Sequence, residues 1–253
     1  MPKFREEAQK AETGIRIIPR CEIIANAGQY ARDKKNGLSL IHKALVAKAG
    51  GIIFSLWGDP KQVLPDDWLI EFKEFSDRAG IDFIGEPWQK DDLTQFERLK
   101  VKRYKVGYED IVDLDLLDAI RTTGKPVLLS VGVATYSEIE KALKILRPQD
   151  DCATVTLLHR VYNIEGANLR AILDLKEEFG FKFNCQVGLE SHLSEWQCDL
   201  VALAYGITVI EKDIDVLSSA GNFTDYVRHA EKSLDYRKFF TARDSELRHN
   251  RDE

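Results

Sequence analysis

Short apolar runs alternate with longer amphipathic ones along most of the chain, and this alternation restricts the fold more than any single motif does. The short runs are Cys21–Ala27, Gly51–Trp57, Ile81–Glu86, Tyr104–Val106, Pro126–Val131, Ala153–His159, Phe181–Val187 and Thr208–Glu211. Helix-like stretches separate them at Ser39–Lys48, Asp66–Arg78, Leu93–Leu99, Asp113–Thr122, Tyr136–Leu146, Asn168–Glu178 and Glu195–Ala204. Ile139, Leu143 and Leu146, and again Leu169, Ile172, Leu173 and Leu175, recur at the spacing of one buried helical stripe. Gly80, Gly124, Gly180 and Gly206 stand where a helix must stop before the next strand, a position that favours a left-handed residue. Strands that are apolar on both faces, each followed by a helix or a return segment, predict a parallel sheet. Eight of them predict an α/β fold closed as a single-domain (β/α)8 TIM barrel. An open doubly wound sheet would want a GxGxxG turn after its first strand, and Asn26-Ala27-Gly28-Gln29-Tyr30 does not supply it.

The 253 residues match the length that such a barrel commonly needs. Residues 17–235 are assigned to it. Residues 1–16 read as a polar N-terminal extension and 236–253 as a polar C-terminal tail, since neither sustains an apolar period. Thirty-six Lys+Arg against 42 Asp+Glu give a net charge of -6, which argues against an electrostatic nucleic-acid partner. No apolar run approaches the roughly 18 residues of a membrane span, and the first residues carry charge without an apolar core. A cytoplasmic protein with no membrane partner is therefore expected. Cys21, Cys152, Cys185 and Cys198 form no CxxC pair, so buried free thiols are expected rather than a zinc site.

Barrels of this kind place their chemistry at the C-terminal ends of the strands. The polar residues there are Asn26, Ser55, Glu86, Lys105, Ser130, His159 and Gln186, then Glu190 and His192, then Glu211 and Asp213. An inward Lys105 would neutralise an anionic ligand. Glu211 and Asp213 alternate onto one side of their strand, and with His192 they offer a set suited to a divalent cation. A plain His–carboxylate ion pair explains the same residues.

The order of motifs resembles the N-acetylneuraminate (sialic acid) synthase family over roughly residues 20–235. The resemblance rests on Tyr104-Lys105-Val106-Gly107 with Leu116-Leu117, on the run from Gly124-Lys125-Pro126 to Val133-Ala134-Thr135, and on Leu157-Leu158-His159. It continues through Asn168-Leu169-Arg170-Ala171-Ile172, Val187-Gly188-Leu189-Glu190-Ser191-His192 and Val209-Ile210-Glu211-Lys212. It implies a (β/α)8 barrel that condenses phosphoenolpyruvate with an N-acylated hexose, with Mn²⁺ or Mg²⁺ as the divalent metal. On that basis the catalytic residues are Glu211 and Asp110, and the metal ligands are His192 and Asp213. Lys105, Ser130, Asn26, Ser55, Glu86, Tyr108, Asn163 and Glu190 then contact the sugar or keto-acid ligand. A homodimer is carried as the assembly to test.

Departures from the family pattern matter equally. Asn26 stands where a glutamate is usual, Ser55 replaces a lysine, and Glu86-Pro87 replaces threonine-proline. Tyr108-Glu109-Asp110 replaces serine-glycine-glutamate, Glu190 replaces a serine, and Asp213 replaces the second metal histidine. The family's C-terminal antifreeze-like domain has no counterpart in this sequence. One cation is lost and two anions are gained near the expected phosphoenolpyruvate site, which opposes an anion on the order of several kcal/mol. Three functions follow: a synthase performing metal-assisted aldol-type condensation in nonulosonic acid or surface-carbohydrate biosynthesis, a catalytically impaired ligand-binding or regulatory barrel, and an enzyme with a less anionic donor. The carbon–carbon bond-forming synthase is the leading expectation of the three.

Overall fold

A computed structural model describes residues 21–28, 30–58, 62–147, 154–164, 167–180, 182–194 and 196–214. Eight strands close a parallel barrel in chain order: β1 (Glu22–Gly28), β2 (Gly51–Ser55), β3 (Asp82–Glu86), β4 (Tyr104–Val106), β5 (Val127–Ser130), β6 (Val155–Val161), β7 (Gln186–Ser191) and β8 (Val209–Asp213). β8 pairs back onto β1 with Glu22 opposite Val209 and Asn26 opposite Asp213, so no strand edge is left open. The helices between strands are α1 (Lys34–Val46), α2 (Asp66–Ala79), α3 (Asp92–Arg98), α4 (Leu114–Thr122), α5 (Tyr136–Leu146), α6 (Arg170–Leu175) and α7 (Gln197–Ala204). The expected fold is the observed one.

Strand parity sorts every side chain. Ile24, Ile53, Ile84, Leu128, Leu158 and Val209 form an apolar cluster inside the barrel. Their strand neighbours, such as Ala25, Phe54, Phe83, Leu129 and Ile210, belong to the larger core between strands and helices. Successive strand residues face opposite sides, so the residues two positions beyond the inner cluster also point inward. They are Asn26, Ser55, Glu86, Ser130, Arg160 and Glu211, all at the C-terminal end. At the N-terminal end Arg103 ties β1 to β3: its Nη1 and Nη2 donate to Glu22 at 2.9 and 2.5 Å, and its Nε donates to Asp82 at 2.6 Å.

Local chemistry sets the helix boundaries. α5 opens with a capping box in which Thr135 and Glu138 each satisfy the other's backbone N–H, and it buries Ile139, Ala142, Leu143 and Leu146. Gly80, Gly124 and Gly206 take positive φ angles of 72°, 68° and 79°, as the stop signals require.

Several boundaries differ from expectation. The strand placed at Phe181–Val187 lies at Gln186–Ser191 instead. Gly180 ends a π-helical turn, Lys176–Gly180, and Asn184 is the left-handed residue, with φ 48°. Alternation of Phe181, Phe183 and Cys185 imitates a strand, but Phe183 docks beside Phe179 from a turn, and Phe181 lies outside the described residues. Gln186 therefore opens β7 and sits at the far end from the mouth. β2 stops at Ser55, and Trp57–Gly58 pairs antiparallel with Gln62–Val63 in a separate ribbon. β6 runs on to Val161, and β8 runs on to Asp213. Cys152 and both polar ends lie outside the described residues, as does the first residue expected in the sixth strand, Ala153.

Candidate functional site

The C-terminal mouth opens into a cavity of about 810 Å³. Asn26, Glu86, Lys105, Tyr108, Asp110, Glu190, His192 and Asp213, all expected from sequence, line it together. Glu211 lies beneath them at 1% exposure. Ser130 is wholly buried, and Ser55 is also wholly buried, where its Oγ accepts the Trp57 N–H at 3.0 Å. Neither serine belongs to the cavity lining, and Asn163 sits exposed on the loop after β6, outside it as well.

Two charge networks hold the floor of the mouth. In the first, Lys105 Nζ donates to both oxygens of Glu211 at 2.7 Å and lies 3.4 Å from Glu190 Oε2. Asn26 Nδ2 donates to Glu211 Oε1 at 2.8 Å. Burial opposes the ammonium, but the charges of Glu190, Glu211 and Glu86 outweigh it and hold Lys105 firmly protonated. One lysine faces several carboxylates, and the consequence falls on Glu211. Burial raises its carboxyl, Lys105 pulls it down, and Glu190 and Glu86 push it up again, to about 8. Burial also disfavours an ionised Glu190, yet Lys105 and the hydrogen bond from His192 bring it down to about 2.

The second network surrounds His192. Its Nδ1 lies 2.6 Å from Asp213 Oδ2, and its Nε2 lies 3.0 Å from Glu190 Oε1. Arg160 Nε also approaches His192 Nε2 at 3.0 Å, and its guanidinium lies 4.0 Å from the centre of the Tyr108 ring. Burial works against a charged ring, but hydrogen bonds to Asp213 and Glu190 raise His192 to about 9. A metal ion needs a deprotonated ring nitrogen with a free lone pair. Both ring nitrogens are engaged by protein groups, and a guanidinium stands beside Nε2. Among the described residues no three His, Cys, Asp or Glu side chains gather in a way that could hold a metal ion. In this arrangement the donors do not fit the expected divalent cation.

Arg160 and the aromatic lining are the residues that sequence reading missed. His159 was the expected mouth residue, but it shares parity with Leu157 and Leu129 in the outer core, where burial lowers its pKa. Leu158 lies in the inner cluster, so its partner in parity, Arg160, is the inward side chain. A cation two residues after an inward leucine was the available signal. Tyr30, Trp88 and Tyr162 complete the lining and follow the strands on loops, where no periodicity marks them.

Comparison with known proteins places this geometry. The chain is 33% identical over 156 residues to pseudaminic acid synthase of Helicobacter pylori, covering 60% of this chain and 44% of that protein. It is 30% identical over 140 residues to N,N'-diacetyllegionaminic acid synthase of Campylobacter jejuni, covering 53% and 41%. It thus spans less than half the length of these relatives. The crystal structure of N-acetylneuraminic acid synthetase from Leptospira borgpetersenii superposes with a TM-score of 0.76 at 27% identity, covering 87% of this chain and 85% of that one. The NeuB family model matches residues 59–233, from the loop after β2 past the end of β8. A closed barrel with Lys105, Glu190, His192 and Glu211 converging on one mouth, together with that match, means that the chain belongs to the NeuB family.

Proposed function

We propose that this barrel serves nonulosonic acid or related surface-carbohydrate biosynthesis by holding a sugar-sized ligand in its mouth, without offering a free cation to phosphoenolpyruvate. One observation carries the reading: both oxygens of Glu211 hold the Lys105 ammonium at 2.7 Å. An anionic donor would have to break that buried pair while facing Glu86 and Glu190. The family relationship supports the pathway, and the acidic floor supports the departure from the usual donor.

The test is calorimetry with phosphoenolpyruvate and Mn²⁺ on the unmodified protein and on the triple variant Ser55→Lys, Glu86→Thr, Glu190→Ser. The variant should bind the anion at least about tenfold more tightly, since it removes two like charges and adds one opposite charge. Tight binding by the unmodified protein, with phosphate release on adding an N-acyl hexose, would overturn the reading.

A second reading has its own observation. Asp110 lines the cavity with its carboxyl raised to about 6 by burial and by Glu109, Asp113 and Asp92, within reach of acid–base work near neutrality. In that reading the protein is a carbon–carbon bond-forming synthase with Asp110 and Glu211 moving protons. Release of Lys105 from Glu211 would then accompany substrate binding. Turnover with phosphoenolpyruvate that is abolished by Asp110→Asn would select it.

A further inference from the structure

One part of the mouth keeps acceptor atoms that neither charge network satisfies. Glu86, at the end of β3, lines the cavity and makes no hydrogen bond or ion pair among the described residues. Asp110 opens the short 3-10 turn Asp110–Val112 and likewise lines the cavity without a side-chain partner among them. Asn26 is the third member, and it is more than nine-tenths buried, at 9% exposure. Its Nδ2 donates to Glu211 Oε1, which also accepts from Lys105. Asn26 lines the cavity, and its Oδ1 is buried and without a hydrogen-bond partner among the described residues.

Two glycines bring the backbone close to these acceptors, where a side chain would not fit. A Cβ on Gly28 would stand 2.7 Å from Asn26 Oδ1 and 3.8 Å from Glu86 Oε2. A Cβ on Gly107 would stand 3.1 Å from Asp110 Oδ2 and 3.9 Å from Glu86 Oε1. Glu86 therefore has one oxygen near each glycine, where a second acceptor, Asn26 Oδ1 or Asp110 Oδ2, lies closer still. Burial, with Glu190, Asp110 and Asp213 nearby, holds the Glu86 carboxyl above its ordinary range, so the wall accepts fully only when a bound positive charge draws its carboxyls into the ionised form. A buried acceptor without a donor costs about 1–3 kcal/mol, so the wall is complementary to a ligand bringing several N–H groups and positive charge.

The rest of the cavity narrows the ligand class. Tyr30, Trp88, Tyr108 and Tyr162 line it, and the Arg160 guanidinium already lies over the rings of Tyr108 and Tyr162 at 4.0 and 5.3 Å, the kind of contact that aromatic faces make with organic cations. A volume of about 810 Å³ suits a sugar-sized molecule. A bare hard cation would need its oxygens to converge at about 2.0–2.6 Å, whereas an ammonium reaches acceptors through longer N–H···O bonds of about 2.9 Å. We infer that the wall formed by Asn26, Glu86 and Asp110 binds the protonated amine of a sugar-sized organic ligand, an unacylated amino sugar being the simplest example. The inference rests on the mouth being a sugar site only for the size of the ligand.

Calorimetry on the full chain at neutral pH and low salt tests it, with D-glucosamine and N-acetyl-D-glucosamine as probes. The two share a ring and differ in the charge and donors at one nitrogen. Glucosamine should bind at least about tenfold more tightly, as expected for charge-assisted hydrogen bonds to two carboxylates. Glu86→Gln and Asp110→Asn should each reduce that preference, and together remove it. Circular dichroism melts monitor folding; Asp110→Asn, in a half-buried turn, keeps the test decisive if Glu86→Gln does not fold. A preference for the acetylated sugar, or equal binding of the two, would overturn the amine inference and leave the sugar-site reading standing. A preference that survives the double variant would overturn the assignment to this wall. Failure of both sugars to bind would sink the inference and the sugar site together.

Discussion

Lys105 shows how much one residue's surroundings decide. A lysine at the end of a short strand reads as an anion receptor, and in the folded chain it is committed to Glu211. Replacing it by Met should destabilise the protein by about 3–5 kcal/mol at pH 9, where Glu190 and Glu211 lose the ammonium that favours their ionised forms and Glu211 is driven toward protonation. The sign of the pH dependence follows from Glu211, whose folded value of about 8 lies above its ordinary value of 4.5. Its protonated form is favoured by folding, so that contribution is complete below pH 4.5 and is lost as pH rises through 8. The penalty of Lys105→Met should accordingly shrink at pH 6, as urea denaturation at the two pH values will show. Asp110 behaves alike at lower pH. With a folded value of about 6 against 3.8, its share of stability is lost as pH rises from about 4 through 6. Asp110→Asn should flatten that part of the stability profile, and the carboxyl carbon should titrate near 6 by NMR. Glu211 and Asp213 were legible at this scale, since alternation alone puts them on one side. Arg160 was not, because one residue of uncertainty in a strand end exchanges inward for outward.

At the scale of elements, legibility followed the number of independent signals. α5 matched expectation at both ends, where the stripe of Ile139, Leu143 and Leu146 is joined in the fold by the capping box at Thr135. Removing its cap by Thr135→Ala should cost about 0.5–2 kcal/mol, measured by chemical denaturation, since the Glu138 N–H loses its Oγ1 acceptor while the backbone N–H of residue 135 keeps its bond to Glu138. β7 was misplaced by five residues at its start because alternating Phe181, Phe183 and Cys185 imitate a strand, whereas Gln186 and Gly188 weaken the real one. Gly188 has a reason to be there: a Cβ would meet Val209 O and Leu158 Cδ2, each at 2.7 Å. α1 carries a similar constraint. A Cβ on Gly37 would stand 2.1 Å from the Phe72 ring, so Gly37→Ala should destabilise by about 1–3 kcal/mol despite its better helix propensity. A lowered melting temperature checks this.

For the molecule as a whole, eightfold alternation was enough to predict closure, because parallel strands apolar on both faces need a helix layer outside and a filled interior. That interior is small. Ile53, wholly buried in the inner cluster, should cost about 2–5 kcal/mol when truncated to Ala, by denaturant unfolding. The mouth depends instead on which polar groups meet across strands, and pairing between β7 and β8 sets Glu211 beside Glu190 without any local cue in either segment. The inner cluster lies one pleat below the polar ring, and this layering separates two kinds of inheritance. Substitutions in the ring exchange one chemistry for another while the six apolar residues beneath continue to brace the strands. A lineage can therefore rewrite what its barrel recognises, one strand end at a time, without solving its folding problem again.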